Sequence, residues 1–242
     1  MKYYSQYKQD RLINFLFNGK KNGIFLDIGA NDGIFLSNSY FFEKEKAWTG
    51  LCVEPNPDIY QKLINFRICF TENCCISDKE EDLIFRKVSG DLSLLSGIIN
   101  FFYDGHLQRI ENERAITGDT YEDIVVKGKK INSLLEKNNL TNIDYCSIDT
   151  EGAEMIILKS IDFEKVNILA FSVENNTKDD SAKNYLETKG YKCFKSVNDD
   201  FFVKNGTKRI KLFSIYLWFI VLKWNKFGLI RAKKFLLRLI KN

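Results

Sequence analysis

The chain has 242 residues and a formal net charge of +4, and 45% of its residues are hydrophobic, so it can bury a sizeable core and wholesale disorder is excluded. Its only histidine, His106, excludes a histidine-rich zinc site and leaves a Ser-His-Asp triad a single candidate. Its six cysteines never form C-x-x-C, and its N-terminal stretch is polar and charged, so we expect reduced cysteines and a cytoplasmic protein.

Short β-rich apolar runs alternate with helix-like stretches along most of the chain, which predicts an α/β fold with a parallel or mostly parallel sheet. The predicted strands cover residues 24–28, 51–54, 74–77, 145–149, 168–174, 192–197 and 201–204. The predicted helices cover residues 38–46, 58–65, 131–138, 153–160 and 181–189. The last two strands are expected to form an antiparallel hairpin that closes the sheet.

The least regular part of the sequence is residues 88–120. Long irregular segments in compact domains often serve as lids or binding loops. We therefore expect this segment to recognise a substrate. His106 lies within it among polar residues, which favours an exposed loop position over a catalytic base.

The first motif is FLDIGANDG at residues 25–33, in which an apolar strand runs into a glycine turn. Gly29 and Gly33 allow the backbone to approach a ligand closely, and a turn ahead of a helix offers free N–H groups. The G-x-x-x-G spacing differs from that of nicotinamide-binding turns. Asp27, at the strand end, suits a ligand that carries an amine or a positive charge, although an ordinary strand-turn-helix corner would have the same pattern.

Glu54 follows at the end of the next predicted strand, 21 residues beyond Gly33. An acid at this position can accept hydrogen bonds from both hydroxyls of a ribose. Pro55 and Pro57 stiffen the backbone after it. The alternative is a solvent-exposed acid before a turn.

A third motif, IDTEGAE at residues 148–154, joins a strand end to a helix start. Asp149 lies at the tip of the strand. Glu151 and Glu154 are three residues apart, which places them on one face if the helix has begun. Glu154 alternatively serves only to stabilise the first turn of the helix.

The order of these motifs resembles that of the FkbM family of S-adenosylmethionine-dependent methyltransferases, over residues 5–204. The resemblance implies a class I methyltransferase (Rossmann-like) fold, with a seven-stranded, mostly parallel sheet, an antiparallel last strand and helices on both faces. The motifs that carry it are Ser5-Gln6, Gln9-Asp10, FLDIGANDG, Ser37-Asn38-Ser39, CVEPNP at 52–57, CSIDTEGAE at 146–154 and SVENN at 172–176.

The resemblance also implies which residues bind S-adenosylmethionine. Glu54 would bind the ribose, and Asp78 would lie near the adenine. The methionine part would contact residues of the first motif, namely Asp27, Gly29, Ala30, Asn31 and Gly33.

An alcohol acceptor must lose its proton, either to a carboxylate base or through metal coordination. Asp149 and the pair Glu174-Asn175 end neighbouring predicted strands, and this layout is similar to the magnesium site of metal-dependent O-methyltransferases. We expect Asp149, Glu174 and Asn175 to hold the acceptor, or Mg²⁺ or another divalent cation. Asp149 and Glu174 are the expected catalytic residues, with Glu151 as an alternate base.

The acceptor is predicted to be a glycan or a small molecule. Methylation of nucleobase amines usually uses an [N/D]-P-P-[F/Y] loop after the fourth strand, where this chain has Asp149-Thr150-Glu151-Gly152, so nucleic acid is disfavoured as a partner. The resemblance points to O-methylation, and we expect a sugar hydroxyl of a glycan or glycolipid. The alternatives are a small secondary metabolite as acceptor, or a non-catalytic, cofactor-binding, membrane-associated module.

The net charge divides the chain into two expected parts, a methyltransferase domain at 1–206 and a tail at 207–242. The tail holds ten of the 36 basic residues and no acid, which leaves the domain a net charge of −6. An apolar run at 212–222 reaches roughly 16 Å, too short for a conventional span. Basic residues at helical spacing follow it, which predicts an amphipathic helix on an anionic membrane surface and a peripheral location. The alternative is a helix packed on the domain or on a partner.

Overall fold

The computed structural model describes residues 1–196 and 198–206, of which Met1–Lys204 form one compact unit. The predicted tail helix and its membrane contact lie outside the described residues. The α-helices are α1 (Gln9–Leu16), α2 (Tyr40–Lys46), α3 (Pro57–Phe66), α4 (His106–Thr117), α5 (Ile131–Lys137), α6 (Glu154–Ser160) and α7 (Ser181–Thr188). The strands are β1 (Ile24–Ile28), β2 (Thr49–Val53), β3 (Phe70–Glu72), β4 (Cys75–Ile76), β5 (Glu81–Val88), β6 (Gly97–Ile98), β7 (Tyr121–Lys129), β8 (Asn142–Ile148), β9 (Asn167–Glu174), β10 (Tyr191–Lys195) and β11 (Asp199–Lys204).

The main sheet has seven strands in the order β10-β11-β9-β8-β1-β2-β3. The pairings β1–β2, β1–β8, β2–β3 and β8–β9 are parallel, whereas β11 is antiparallel to both β9 and β10. The seven-stranded α/β sheet is thus confirmed, with mixed strand directions. The predicted hairpin is present, but its second strand lies inside the sheet and β10 forms the edge.

Successive side chains of the central strands point to opposite faces of the sheet, so each face has its own set of packed residues. Leu26 and Ile28 of β1 belong to an apolar cluster with residues of α5, α6 and α7. On the other face, Phe42 of α2 packs edge-on against Tyr145 of β8, with ring centroids 5.9 Å apart. Helices therefore cover both faces of the sheet. Among the described residues, no helix is both long enough and apolar enough to cross a membrane.

A second sheet lies between β3 and α5 in the chain and corrects two predictions. Its order is β4-β7-β5-β6, so the predicted strand at 74–77 belongs here and not to the main sheet. The supposedly irregular residues 88–120 include the whole of α4. That helix buries only His106 and Ile110, so it lacks the apolar periodicity by which a helix is recognised in a sequence.

Arg67, just after α3, is the centre of a buried polar network under the turn that follows β1. Its guanidinium donates hydrogen bonds to Glu43 Oε1 (3.2 Å), to the Gly33 carbonyl oxygen (3.2 Å) and to Ser39 Oγ (3.0 Å). The side chains of Arg67 and Glu43 are 0% and 5% exposed. Ser39 Oγ in turn donates to Asp27. The network thus ties α2 and α3 to the glycine turn.

We predict that Arg67→Met lowers the free energy of unfolding by about 3–5 kcal/mol, because Glu43 would remain buried without its counter-ion. Urea unfolding followed by circular dichroism measures the change. Lys127→Met is the matched control: Lys127 pairs with Asp82, and the two side chains are 71% and 55% exposed. We expect the control to stay within about 1 kcal/mol of wild type. Equal losses in the two variants would contradict the structural role of Arg67.

Candidate functional site

The ends of β1 and β8 touch at Gly29. Its φ is +84°, and a Cβ atom placed on it would lie 1.8 Å from the carbonyl oxygen of Asp149. The Gly29 N–H donates to the Val53 carbonyl, and the Asp149 N–H donates to the Ile28 carbonyl, both at 3.0 Å. Only glycine fits this turn, so the first and third motifs meet directly.

A cavity of about 290 Å³ opens at this edge of the sheet, over the carboxyl ends of the parallel strands. Ligands of open α/β sheets commonly bind at this edge. Most of the site residues predicted from sequence line the cavity, namely Asp27, Gly29, Ala30, Asn31, Glu54, Asp149, Glu151 and Glu174. Gly33, Asp78 and Asn175 are not among its lining residues.

The three exceptions have other contacts. Gly33 provides room for Arg67, whose Cγ would lie 2.7 Å from a Cβ atom at this position. Asp78 is exposed beyond the end of β4. The amide of Asn175 donates to the Asp179 carbonyl (2.9 Å) and to Asp200 Oδ2 (2.8 Å), so it is committed to its own loop.

Glu54 ends β2 with both carboxylate oxygens facing backbone amides. Oε2 accepts from the Asn31 N–H at 2.9 Å, and Oε1 accepts from the Asn56 N–H at 2.8 Å. Burial raises the pKa of Glu54 to about 7, although these two hydrogen bonds oppose the shift. Each oxygen keeps a further lone pair, so the carboxylate can also accept hydrogen bonds from the hydroxyls of a ligand.

Three carboxyl groups meet where β8, β9 and β11 lie side by side. Ile148 pairs with Val173, which places Asp149 beside Glu174, and Glu174 pairs with Asp199. Burial raises the pKa of Asp149 and of Glu174 well above the usual values. Repulsion between the neighbouring carboxyl groups is the second cause. Burial raises the pKa of Asp199 to about 6, although the amide of Gln9 donates to its carboxylate.

Glu151 also lines the cavity, in a left-handed backbone conformation with φ +57°. Its Oε2 accepts from Asn176 Nδ2 at 3.0 Å and lies 3.6 Å from His106 Nδ1. Burial raises the pKa of Glu151 to about 7, while Arg109 opposes the shift. Glu151 is therefore a carboxyl that changes charge near neutrality.

The predicted exposed position of His106 is wrong. The residue is 0% exposed, its Nε2 lies 2.9 Å from the Leu95 carbonyl oxygen, and its ring packs 4.2 Å from that of Phe102. Residues 104–105 and 107–109 on either side of it are exposed, whereas the first turn of α4 directs His106 inward. Burial lowers the pKa of His106, which favours the neutral ring.

Glu154 begins α6 and stabilises the preceding turn. Its Oε1 accepts from the Thr150 N–H (3.1 Å), from Thr150 Oγ1 (2.8 Å) and from the Gly152 N–H (3.0 Å). Glu154 does not line the cavity. These contacts correspond to the alternative given for Glu154, a structural role at the start of the helix.

Several lining residues received no role from the sequence. Gln9 belongs only to a motif of the family resemblance, and Asp199 falls between the last two predicted strands. Arg109 is the one cationic side chain among the lining residues of the described chain. Residues 93–98, from the turn before β6 and from β6 itself, supply a further wall, and Leu94, Leu95 and Ile98 form its apolar part. Only the order of motifs along the chain could have indicated Gln9 and Asn38, since both reach the cavity through long-range contacts.

The predicted metal set does not assemble. Asn175 is committed to its loop, and within the described ranges no group of three or more His, Cys, Asp or Glu side chains has an arrangement suited to a metal ion. No step of the proposed chemistry is therefore assigned to a metal.

The cavity does suit S-adenosylmethionine. This cofactor carries a sulfonium, an ammonium and a ribose diol, and the cavity offers carboxyl groups at three neighbouring strand ends, Asp27, Glu54 and Asp149. Glu54 has lone pairs available for the diol, and the contact of Gly29 with Asp149 leaves no side chain in the turn between them.

The chain was compared with solved structures and with curated protein sequences. The chain is similar to the structure of precorrin-6y C5,15-methyltransferase from Geobacter metallireducens, with 12% identity, 82% of this chain and 85% of that chain covered, and a TM-score of 0.39. It is also similar to a TehB-like SAM-dependent methyltransferase from Corynebacterium glutamicum, with 11% identity, 84% and 89% covered, and a TM-score of 0.40. At these values neither similarity indicates an activity. No curated protein sequence matches the chain.

Residues 27–193 match the sequence model of the methyltransferase FkbM domain. The match begins within β1, ends within β10 and includes every carboxyl group described above except those of Asp199 and Asp200. Because it covers more than two-thirds of the chain, this protein belongs to the FkbM family of S-adenosylmethionine-dependent methyltransferases.

Proposed function

We propose that this methyltransferase methylates a sugar hydroxyl of a glycan or glycolipid. The observation that carries the proposal is the row of carboxyl groups at the edge formed by β8, β9 and β11, beside the glycine turn that would bind the cofactor. A hydroxyl must give up a proton when it is methylated, and a carboxylate within hydrogen-bond reach can accept it. A sugar offers several hydroxyls that such groups can orient.

S-adenosylmethionine supplies an electrophilic methyl group when bound. Gly29, Ala30 and Asn31 would bind its methionine part, with Asp27 behind them, and Glu54 would accept hydrogen bonds from its ribose. These residues fix the direction along which the acceptor oxygen must approach, so alignment provides much of the rate enhancement.

Asp149 and Glu174 would orient the acceptor and take its proton, and Glu151 is the alternate base. The apolar part of the wall formed by Leu94, Leu95 and Ile98 limits access of water to this region. The same wall belongs to residues 88–120, which we propose as the acceptor-recognition segment.

The sequence of the tail supports a further proposal, that the protein works at the cytoplasmic face of a membrane. Residues 207–242 carry ten basic side chains without an acid. Each Lys or Arg near an anionic surface contributes about 1 kcal/mol of attraction. A membrane-bound enzyme would meet a lipid-linked acceptor at that surface.

We expect Gly29→Ala to weaken binding of S-adenosylmethionine by about 10-fold to 100-fold, because the added methyl group collides with the Asp149 carbonyl. Titration calorimetry measures the affinity. Gly118→Ala is the control: Gly118 also has a positive φ, +78°, but no heavy atom lies within 4 Å of its Cβ position. If the two variants bind the cofactor equally well, the close contact at Gly29 does not shape the site.

We expect Asp149→Asn and Glu174→Gln each to lower kcat by about 10²-fold to 10⁴-fold with little change in cofactor affinity, because each removes a proton acceptor and an orienting group. Methyl transfer to a panel of glycans and glycolipids, with labelled S-adenosylmethionine, measures the rate. Glu136→Gln, on the exposed side of α5, is the control. Full activity in both test variants would refute their roles. Loss of activity with EDTA that Mg²⁺ restores would show that a metal is required after all.

We expect deletion of residues 207–242 to remove most binding to anionic vesicles, because the cationic side chains are lost. Co-sedimentation with vesicles that contain phosphatidylserine, compared with vesicles of phosphatidylcholine alone, measures this effect. The intact chain should prefer the anionic vesicles and lose that preference in high salt. Unchanged binding after deletion would exclude the tail as the membrane contact.

A further inference from the structure

We propose that the acceptor carries a protonated amine, and that Asp149, Glu174 and Asp199 bind it beside the hydroxyl that is methylated. The inference rests on the proposed function and narrows its acceptor to an amino sugar or a similar amino alcohol. It follows from the charge around these three carboxyl groups and from two oxygen atoms without a hydrogen-bond donor.

The three carboxyl groups point to the same side of the sheet. Asp199 and Glu174 are directly opposed on antiparallel strands, and Asp149 continues the parallel register that pairs Ile148 with Val173. All three line the same cavity. A ligand group placed over the end of β9 is therefore flanked by carboxyl groups on both neighbouring strands.

Within the part of the chain that the structure describes, no positive side chain forms an ion pair with this cluster. Among the ion pairs of residues 1–196 and 198–206, none includes Asp149, Glu174 or Asp199. Arg109, the cation of the cavity wall, lies toward Glu151 and forms its own ion pair with Glu113 at 2.8 Å. Buried carboxylates without a counter-ion are costly, so the cluster favours a cationic ligand.

Two buried oxygen atoms of the cavity have no donor within the described chain, Glu174 Oε2 and Asn38 Oδ1. Asn38 is 7% exposed, and its amide donates to Ser147 Oγ at 2.9 Å, two residues before Asp149 on the same strand. Asn38 Oδ1 can only accept hydrogen bonds, and so can Glu174 Oε2 when its carboxyl group is ionised. The missing partner must therefore supply several donors, and an ammonium group supplies three.

S-adenosylmethionine alone does not supply the positive charge and the hydrogen-bond donors that these carboxyl groups require. S-adenosylmethionine carries two positive groups and one carboxylate, a net charge of one, and Asp27 and Glu54 already lie on its side of the cavity. A metal ion would need a tighter ligand geometry than the described residues provide. An ammonium group tolerates looser geometry. Because it would occupy Asp149 and Glu174, the alternate base Glu151 then takes the proton of the hydroxyl.

The test compares sugars that differ only in the substituent at C2, which is charged in one of them and neutral in the other two. Binding of glucosamine, N-acetylglucosamine and glucose to the full chain is measured by ligand-observed NMR at neutral pH, with S-adenosylhomocysteine bound. We expect glucosamine to bind about tenfold more tightly than the two neutral sugars, as a charge-assisted hydrogen bond provides. Glu174→Gln and Asp199→Asn should each remove most of this difference, and Glu136→Gln should preserve it.

Binding of S-adenosylhomocysteine is measured first, because its failure would overturn the proposed function itself. If it binds but glucosamine shows no advantage over its N-acetyl form, the amine inference is wrong and the methyltransferase assignment stands. An advantage that survives in both Glu174→Gln and Asp199→Asn would overturn the inference as well. Displacement of glucosamine by Mg²⁺ at matched ionic strength would show a metal site in its place.

Discussion

The contact between Gly29 and the Asp149 carbonyl is the constraint on which the site depends. It brings the ends of β1 and β8 within van der Waals distance, so that the predicted cofactor turn and the predicted catalytic carboxyl share one edge of the cavity. A side chain at Gly29 would separate the two strands at their carboxyl ends. Methyl transfer requires a short distance between methyl donor and acceptor. The pairing of β1 with β8 places the two predicted binding regions next to each other.

Around this contact, the protein keeps its carboxyl groups in two electrostatic settings. Asp27 has Ser39 as a hydrogen-bond donor and Arg67 nearby, and Glu54 has two backbone amides. Glu174 has a buried oxygen without a donor in the described chain. The first setting is satisfied before any ligand binds, whereas the second is completed only by a ligand. This difference separates residues that shape the pocket from residues that are available to react.

The sequence predicted most of the main sheet because its central strands are nearly continuous apolar runs, such as residues 24–28, that end at acidic residues. It could not predict β5 and β7, since their outer faces are exposed and charged and each strand reads as half polar. Most of the residues predicted to bind the cofactor could be identified because they lie at the ends of successive predicted strands. Asp199 and His106 were misjudged because their burial comes from contacts with Gln9 and Leu95, which no local pattern records. Asn175 and Asp78 each follow a predicted strand, but neither lines the cavity. The position of a residue after a strand does not determine where its side chain points.

The burial of His106 has a practical consequence for studying this enzyme. It is the only imidazole in the chain, and it lies 3.6 Å from a carboxylate of the cavity wall and stacks on Phe102. Its ring protons therefore give a single, resolved pair of magnetic resonance signals, shifted by the neighbouring aromatic rings. A ligand that changes the charge or position of Glu151 must move those signals, so the protein contains its own reporter of acceptor binding without any introduced label.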